Sequence, residues 1–73
     1  MWVLLDQALS ESRRKKIYFK EWAGTGPVTT DDLNEAHRFD SDEEAKMSAA
    51  YRYSLSFFEA VEVVVTVKNQ VVV

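Results

Sequence analysis

A chain of 73 residues with no cysteine, a single histidine and a net charge of −3 has room for one domain with a modest core, and it excludes disulfide and thiolate-metal scaffolds. Its 47% apolar content and nine aromatic residues exclude a disordered composition. A charge this small excludes a polyelectrolyte partner held by net charge alone, so its distribution matters more than its sum.

That distribution is uneven. Arg13, Arg14, Lys15 and Lys16 form a basic run, and Asp31, Asp32, Glu35, Asp40, Asp42, Glu43 and Glu44 crowd a later segment. The absence of cysteine fits a reducing compartment. Met1 to Leu5 is too short for a signal-peptide core, and no window approaches the roughly 20 apolar residues of a membrane helix. The reading is a soluble, cytoplasmic protein.

In chain order, Trp2 to Leu5 combines β-formers and apolar residues and predicts a first strand. Asp6 to Arg14 is polar and without sustained period, a loop or frayed helical turn. In Lys16 to Trp22 the two-residue period of a strand places Ile17 and Phe19 on one face and Tyr18, Lys20 and Trp22 on the other. Gly24-Thr25-Gly26-Pro27 then supplies turn chemistry, so a hairpin to the segment starting at Val28 is expected.

Thr30 followed by Asp31, Asp32 and Glu35 predicts a short capped helical turn, with acids where the helix dipole favours them. His37 to Phe39 adds a brief extended stretch. Ser41-Asp42-Glu43-Glu44 matches a capping box, with Ser41 at the N-cap and Glu44 at N3. It opens the main helix, from Asp42 to about Leu55, with Ala45, Ala49, Ala50 and Tyr53 as its buried stripe. From Phe58 to Lys68, Val61, Val63, Val65 and Val67 alternate with Ala60, Glu62, Val64, Thr66 and Lys68 as the longest strand.

These elements predict a single α+β domain over residues 1–73, with 69–73 as a frayed tail. The fold is a small antiparallel sheet of three to four strands with one main helix on one face, in the order β, β, turn, α, β.

No catalytic set emerges. Adjacent carboxylates such as Asp31 and Asp32 diverge on a helix, Asp40 to Glu44 lacks the central glycine of a calcium loop, and Gly24-Thr25-Gly26 lacks the third glycine of a dinucleotide turn. His37 has no cysteine to activate, and a domain this small offers little concave volume around it. The expectation is a non-enzymatic protein without cofactor or metal.

Two binding chemistries stay open. The acids Asp31, Asp32, Glu35, Asp42, Glu43 and Glu44, together with Trp22, offer a charged and aromatic surface to a protein partner. Alternatively, Arg13, Arg14, Lys15 and Lys16 with Tyr18 and Trp22 offer charge and stacking to a nucleic acid. The valine-rich C-terminal strand offers an edge for a partner's sheet or for a homodimer.

The stretch from Thr30 to Ala45, TDDLNEAHRFDSDEEA, about a fifth of the chain, resembles a segment of small phage and prophage proteins of unknown function. In those proteins an aromatic strand precedes the segment and a valine-rich strand follows the helix, as Ile17 to Trp22 and Val61 to Val67 do here. The resemblance implies a compact α+β fold that binds and inhibits or modulates host machinery, such as RNA polymerase or a nucleic-acid-guided defence complex.

Overall fold

The computed structural model describes residues 1–53, 57–65 and 70–73, and the side chains of all of these except residues 49, 53 and 65. The elements are β1 (Trp2–Asp6), α1 (Gln7–Arg13), β2 (Tyr18–Ala23), β3 (Gly26–Thr30), α2 (Asp42–Met47), α3 (Ala49–Tyr53), β4 (Phe58–Val65) and β5 (Gln70–Val72). The strands form one antiparallel sheet in the order β3-β2-β1-β4-β5. The α+β class expected from the sequence holds, with five strands in place of three or four and several short helices in place of one main helix.

β1 lies at the centre and pairs with β4 from Trp2↔Glu62 to Asp6↔Phe58. Its Val3 and Leu4 point to opposite faces, yet both are fully buried, so the sheet carries a core on each side. Leu4, Phe19, Phe39, Ala45, Ala50 and Phe58 form one core, under α2 and α3. Val3, Tyr18, Ala36, Val61 and Val63 form the other, with Leu33 of the 31–36 segment packed against it. A strand buried on both faces reads as an apolar run without alternation, as Trp2 to Leu5 does.

Of the two readings of the polar segment after β1, a loop or a helical turn, the structure takes the helical one, as the seven-residue α1. Asp6 accepts the Leu9 N–H at 2.9 Å as the N-cap of α1, satisfying a donor that the first turn leaves orphaned. Asp6 itself is buried, and among the described residues its second carboxylate oxygen has no hydrogen-bond partner. Helix α1 buries none of its residues, which is why no apolar period announces it. It ends at Arg14, whose left-handed φ of 56° is a helix-ending conformation usually held by glycine.

The expected main helix is broken at Ser48. That residue is extended (φ −68°, ψ 154°), donates its hydroxyl to the Ala45 carbonyl at 2.7 Å and accepts the Tyr51 N–H at 3.4 Å. Serine competes in this way with the helical ladder, ending α2 and capping α3. Ala45 and Ala50 are buried as the stripe requires; the side chains of Ala49 and Tyr53, and all of Leu55, lie outside what is described.

The expected capped turn after Thr30 is present but is not part of any assigned helix: the Glu35 and Ala36 N–H groups donate to the Asp32 and Leu33 carbonyls at 3.0 and 3.3 Å. Thr30 Oγ1 accepts the Asp32 N–H and Asp32 Oδ1 accepts the Asn34 N–H. Two successive side-chain turns thus lead into those backbone bonds.

The tail expected to fray forms β5, which pairs Val63↔Val72, Val64↔Val71 and Val65↔Gln70. Strand β4 is therefore interior to the sheet rather than an edge open to a partner. The expected continuation of β4 through Thr66, Val67 and Lys68 lies outside the described residues.

Candidate functional site

β2 and β3 turn on Gly24-Thr25, with Ala23 opposite Gly26 and Gly24 at a φ of 52°, the positive φ that a two-residue hairpin demands. From Ala23 back to Glu21 the ladder is regular, pairing Trp22↔Pro27 and Glu21↔Val28; it then shifts, so that Phe19 pairs with Thr29 and Lys20 is the extra residue of a β-bulge. Residues opposite one another share a face. Pro27 and Thr29 lie on the same face of β3, so the bulge brings Trp22 onto the Phe19 side. This corrects the strict alternation expected over Lys16 to Trp22, and it is a known effect of bulges, which re-aim side chains.

The extended stretch at 37–39 completes the arrangement. The Phe39 and Trp2 backbones exchange two hydrogen bonds of 2.8 Å, and the His37 N–H donates to the Phe19 carbonyl at 2.9 Å. The segment thus ties β1 to β2 where those strands pair only at Leu5↔Tyr18. His37 packs on Phe39 (ring centroids 4.6 Å apart) and on Phe19 (5.9 Å), tilted by 58° in each case.

The result is an open groove of about 300 Å³ lined by Phe19, Glu21, Trp22, His37, Phe39, Ser48 and Ala50. Phe19 and Phe39 are buried and Trp22 is 39% exposed, so buried rings underlie an accessible indole. This concave volume was not expected in so small a chain. His37 and Ser48 both line it, but the Ser48 hydroxyl proton is committed to Ala45. Among the described residues no hydrogen bond joins it to His37.

The acidic residues do not form one surface. Asp31 and Glu35 belong to the segment that covers the Val3 core and are ion-paired, to Lys15 at 2.8 Å and Lys20 at 3.2 Å, while Asp32 is engaged in its turn. The Lys15 ammonium holds the Asp31 carboxyl below the usual carboxylate range by hydrogen bond and charge. Asp42, Glu43 and Glu44 open α2 on the opposite face. Ser41 accepts the Glu44 N–H at 3.1 Å, and the Glu44 carboxylate accepts the Asp40 N–H at 3.2 Å, one residue before the position a capping box predicts.

The nucleic-acid set is not assembled either. Arg13, Arg14 and Lys16 are exposed, but Lys15 is tied to Asp31 and Tyr18 is only 4% exposed, within the Val3 core. Its ring is not available for stacking on a base. Tyr18 was expected on an open face because the 31–36 segment that covers it is distant in the sequence.

Burial raises the Tyr18 phenol above its ordinary value of 10.0. The folded state then favours the protonated form, so this contribution is complete below about pH 10 and lost as the pH rises further. Denaturant titrations at pH 8 and 10.5 should show Tyr18→Phe losing less stability across that window than the wild type. An equal loss would mean the phenol contributes nothing to the alkaline slope.

Phe19, His37 and Phe39 were not marked as site residues by the sequence, since only the bulge and the Phe39 bridge bring them to Trp22. Among the described residues no group of histidine and acidic side chains is placed to hold a metal ion, and no helix is long and apolar enough to cross a membrane. No family model, curated protein or solved structure matches this chain.

Proposed function

We propose that this protein is a non-enzymatic protein-binding module that seats a partner in the aromatic groove. The observation that carries the reading is Trp22, turned by the bulge at Lys20 onto the Phe19 face and left partly exposed above buried rings. A tryptophan beside a well-packed pocket is the residue type that dominates interface energetics. The resemblance of Thr30 to Ala45 to phage-type proteins supplies the class of partner, a host protein complex whose activity is inhibited or modulated. The exposed acids at the start of α2 lie on the same side of the sheet as the groove and suit a basic rim on that partner.

The test is capture from a bacterial lysate by the tagged chain, comparing wild type with Trp22→Ala and with Asp42, Glu43 and Glu44 neutralised together. Loss of one hot-spot tryptophan at 2 kcal/mol or more weakens retention roughly thirtyfold, with an unchanged circular dichroism spectrum. Full retention by Trp22→Ala would remove the groove from the interface. If only the neutralised variant lost the partner, the α2 start would be the binding surface.

A further inference from the structure

We infer that β5 is an association edge whose occupant is the β5 strand of a second copy of this chain, paired antiparallel about Val71. Hydrogen-bond parity exposes the edge. In an antiparallel pair, successive residues of a strand alternate between bonding to one neighbour and presenting their N–H and C=O to the other side. The Val63 N–H donates to the Met1 carbonyl at 2.7 Å, and the Val73 N–H donates to the Glu62 carbonyl at 2.9 Å. Val63 therefore bonds towards β1, while Glu62 and Val64 bond towards β5. With Val64 opposite Val71 and Val63 opposite Val72, Val71 directs its main-chain bonds to β4, and Gln70 and Val72 direct theirs off the sheet. Among the described residues no hydrogen bond meets those outward groups.

The two outward residues flank Val71, so the edge complements its own reverse. A two-fold axis at Val71 sets Gln70 opposite Val72 of the second copy and Val72 opposite its Gln70, each pair exchanging two hydrogen bonds. The two Val71 side chains then meet as a pair without a hydrogen bond between them, the closer of the two antiparallel spacings. Val71 is 51% exposed and Val64, opposite it on the same face, 42%. Pairing covers this valine strip on both copies at once.

The two edges of the sheet differ in protection. β3 carries Pro27, whereas β5 contains neither proline nor charge. Two copies therefore meet there without like charges opposed across the pair, although the chain as a whole carries −3. The strand is also held ready. The Gln70 side chain is hydrogen-bonded to Arg38 and Asn34 and Val72 packs on the Val3 core, so association has little left to order. Three residues make a contact smaller than a standard interface, which sets a weak, reversible dimer.

The experiment combines sedimentation velocity with amide hydrogen exchange on the full chain between roughly 20 µM and 1 mM, where a weak dimer fills. The sedimentation coefficient should rise with concentration. Exchange at the Gln70 and Val72 amides should slow at least threefold, and the Val71 amide, already bonded to β4, should change less. Val71→Lys sets two ammonium groups against each other at the axis and should weaken association at least tenfold, while Val71→Thr retains it. Trp22→Ala should leave the dimer intact, because the groove takes no part in it.

A sedimentation coefficient that stays flat to the highest concentration overturns the inference. So does association that slows exchange at β3 in place of β5, that protects Gln70, Val71 and Val72 equally, or that survives Val71→Lys undiminished. The exchange pattern of the wild type decides between these outcomes even where Val71→Lys folds poorly.

Discussion

Replacing Leu4 with alanine is expected to lower stability by about 2 to 5 kcal/mol, the range for emptying a leucine-sized space in a packed core. Leu4 is fully buried on the central strand, in the core it shares with Phe19, Phe39, Ala45, Ala50 and Phe58. A domain of 73 residues has a total stability of roughly 4 to 11 kcal/mol, so the variant would be marginal or unfolded at 37 °C. Urea titrations measure the effect, with Leu4→Met as a volume-conserving control expected to cost less than about 1.5 kcal/mol. A loss below about 1 kcal/mol for Leu4→Ala would mean that the face beneath α2 and α3 is not packed as described. Because that core also floors the groove, a destabilised Leu4→Ala chain should retain less in the lysate capture proposed above even though Leu4 does not line the groove.

Removing Gln70 to Val73 is expected to convert the chain into an aggregating species. The deletion takes Val72 away from the Val3 core, with about 1 to 2 kcal/mol for a partly buried valine. It also takes Gln70 away from Arg38 and Asn34, its hydrogen-bond partners. The larger effect is at β4. Without β5, the Glu62 to Val65 end of β4 becomes an unprotected edge, a ready template for another chain. Light scattering at rising concentration should show soluble oligomers or precipitate for the truncated chain under conditions where the full chain is dispersed. Adding Val64→Lys to the truncated chain should suppress this, since a charge on an edge strand opposes pairing. A truncated chain that stayed monomeric with an unchanged urea midpoint would show that β5 neither protects nor stabilises β4.

The other free edge, β3, has its own protection. Pro27 has no N–H to offer a further strand, and the turn after β3 is held down by the Lys15–Asp31 pair. Association through the β3 edge is therefore opposed by that proline.

What the sequence determined by itself is what depends on neighbours a few residues apart. Ser41 caps α2 because its acceptor is the N–H of Glu44, and Gly24 turns the β2–β3 hairpin because two residues must close it with a positive φ. The apolar run of Trp2 to Leu5 required a buried strand. Tertiary structure decided the rest, because the causes lie in pairings between distant segments. The bulge at Lys20 exists only as a mismatch in count between β2 and β3, and it reverses the face of Trp22. The 37–39 segment finds Trp2 and Phe19 from far along the chain, and β5 closes the edge that β4 would otherwise present. Tyr18 is buried by a segment that local periodicity does not register. A two-residue period reports that a strand has two faces, but which face is covered, and by what, is a property of the assembled sheet. The groove is built entirely from that second kind of information.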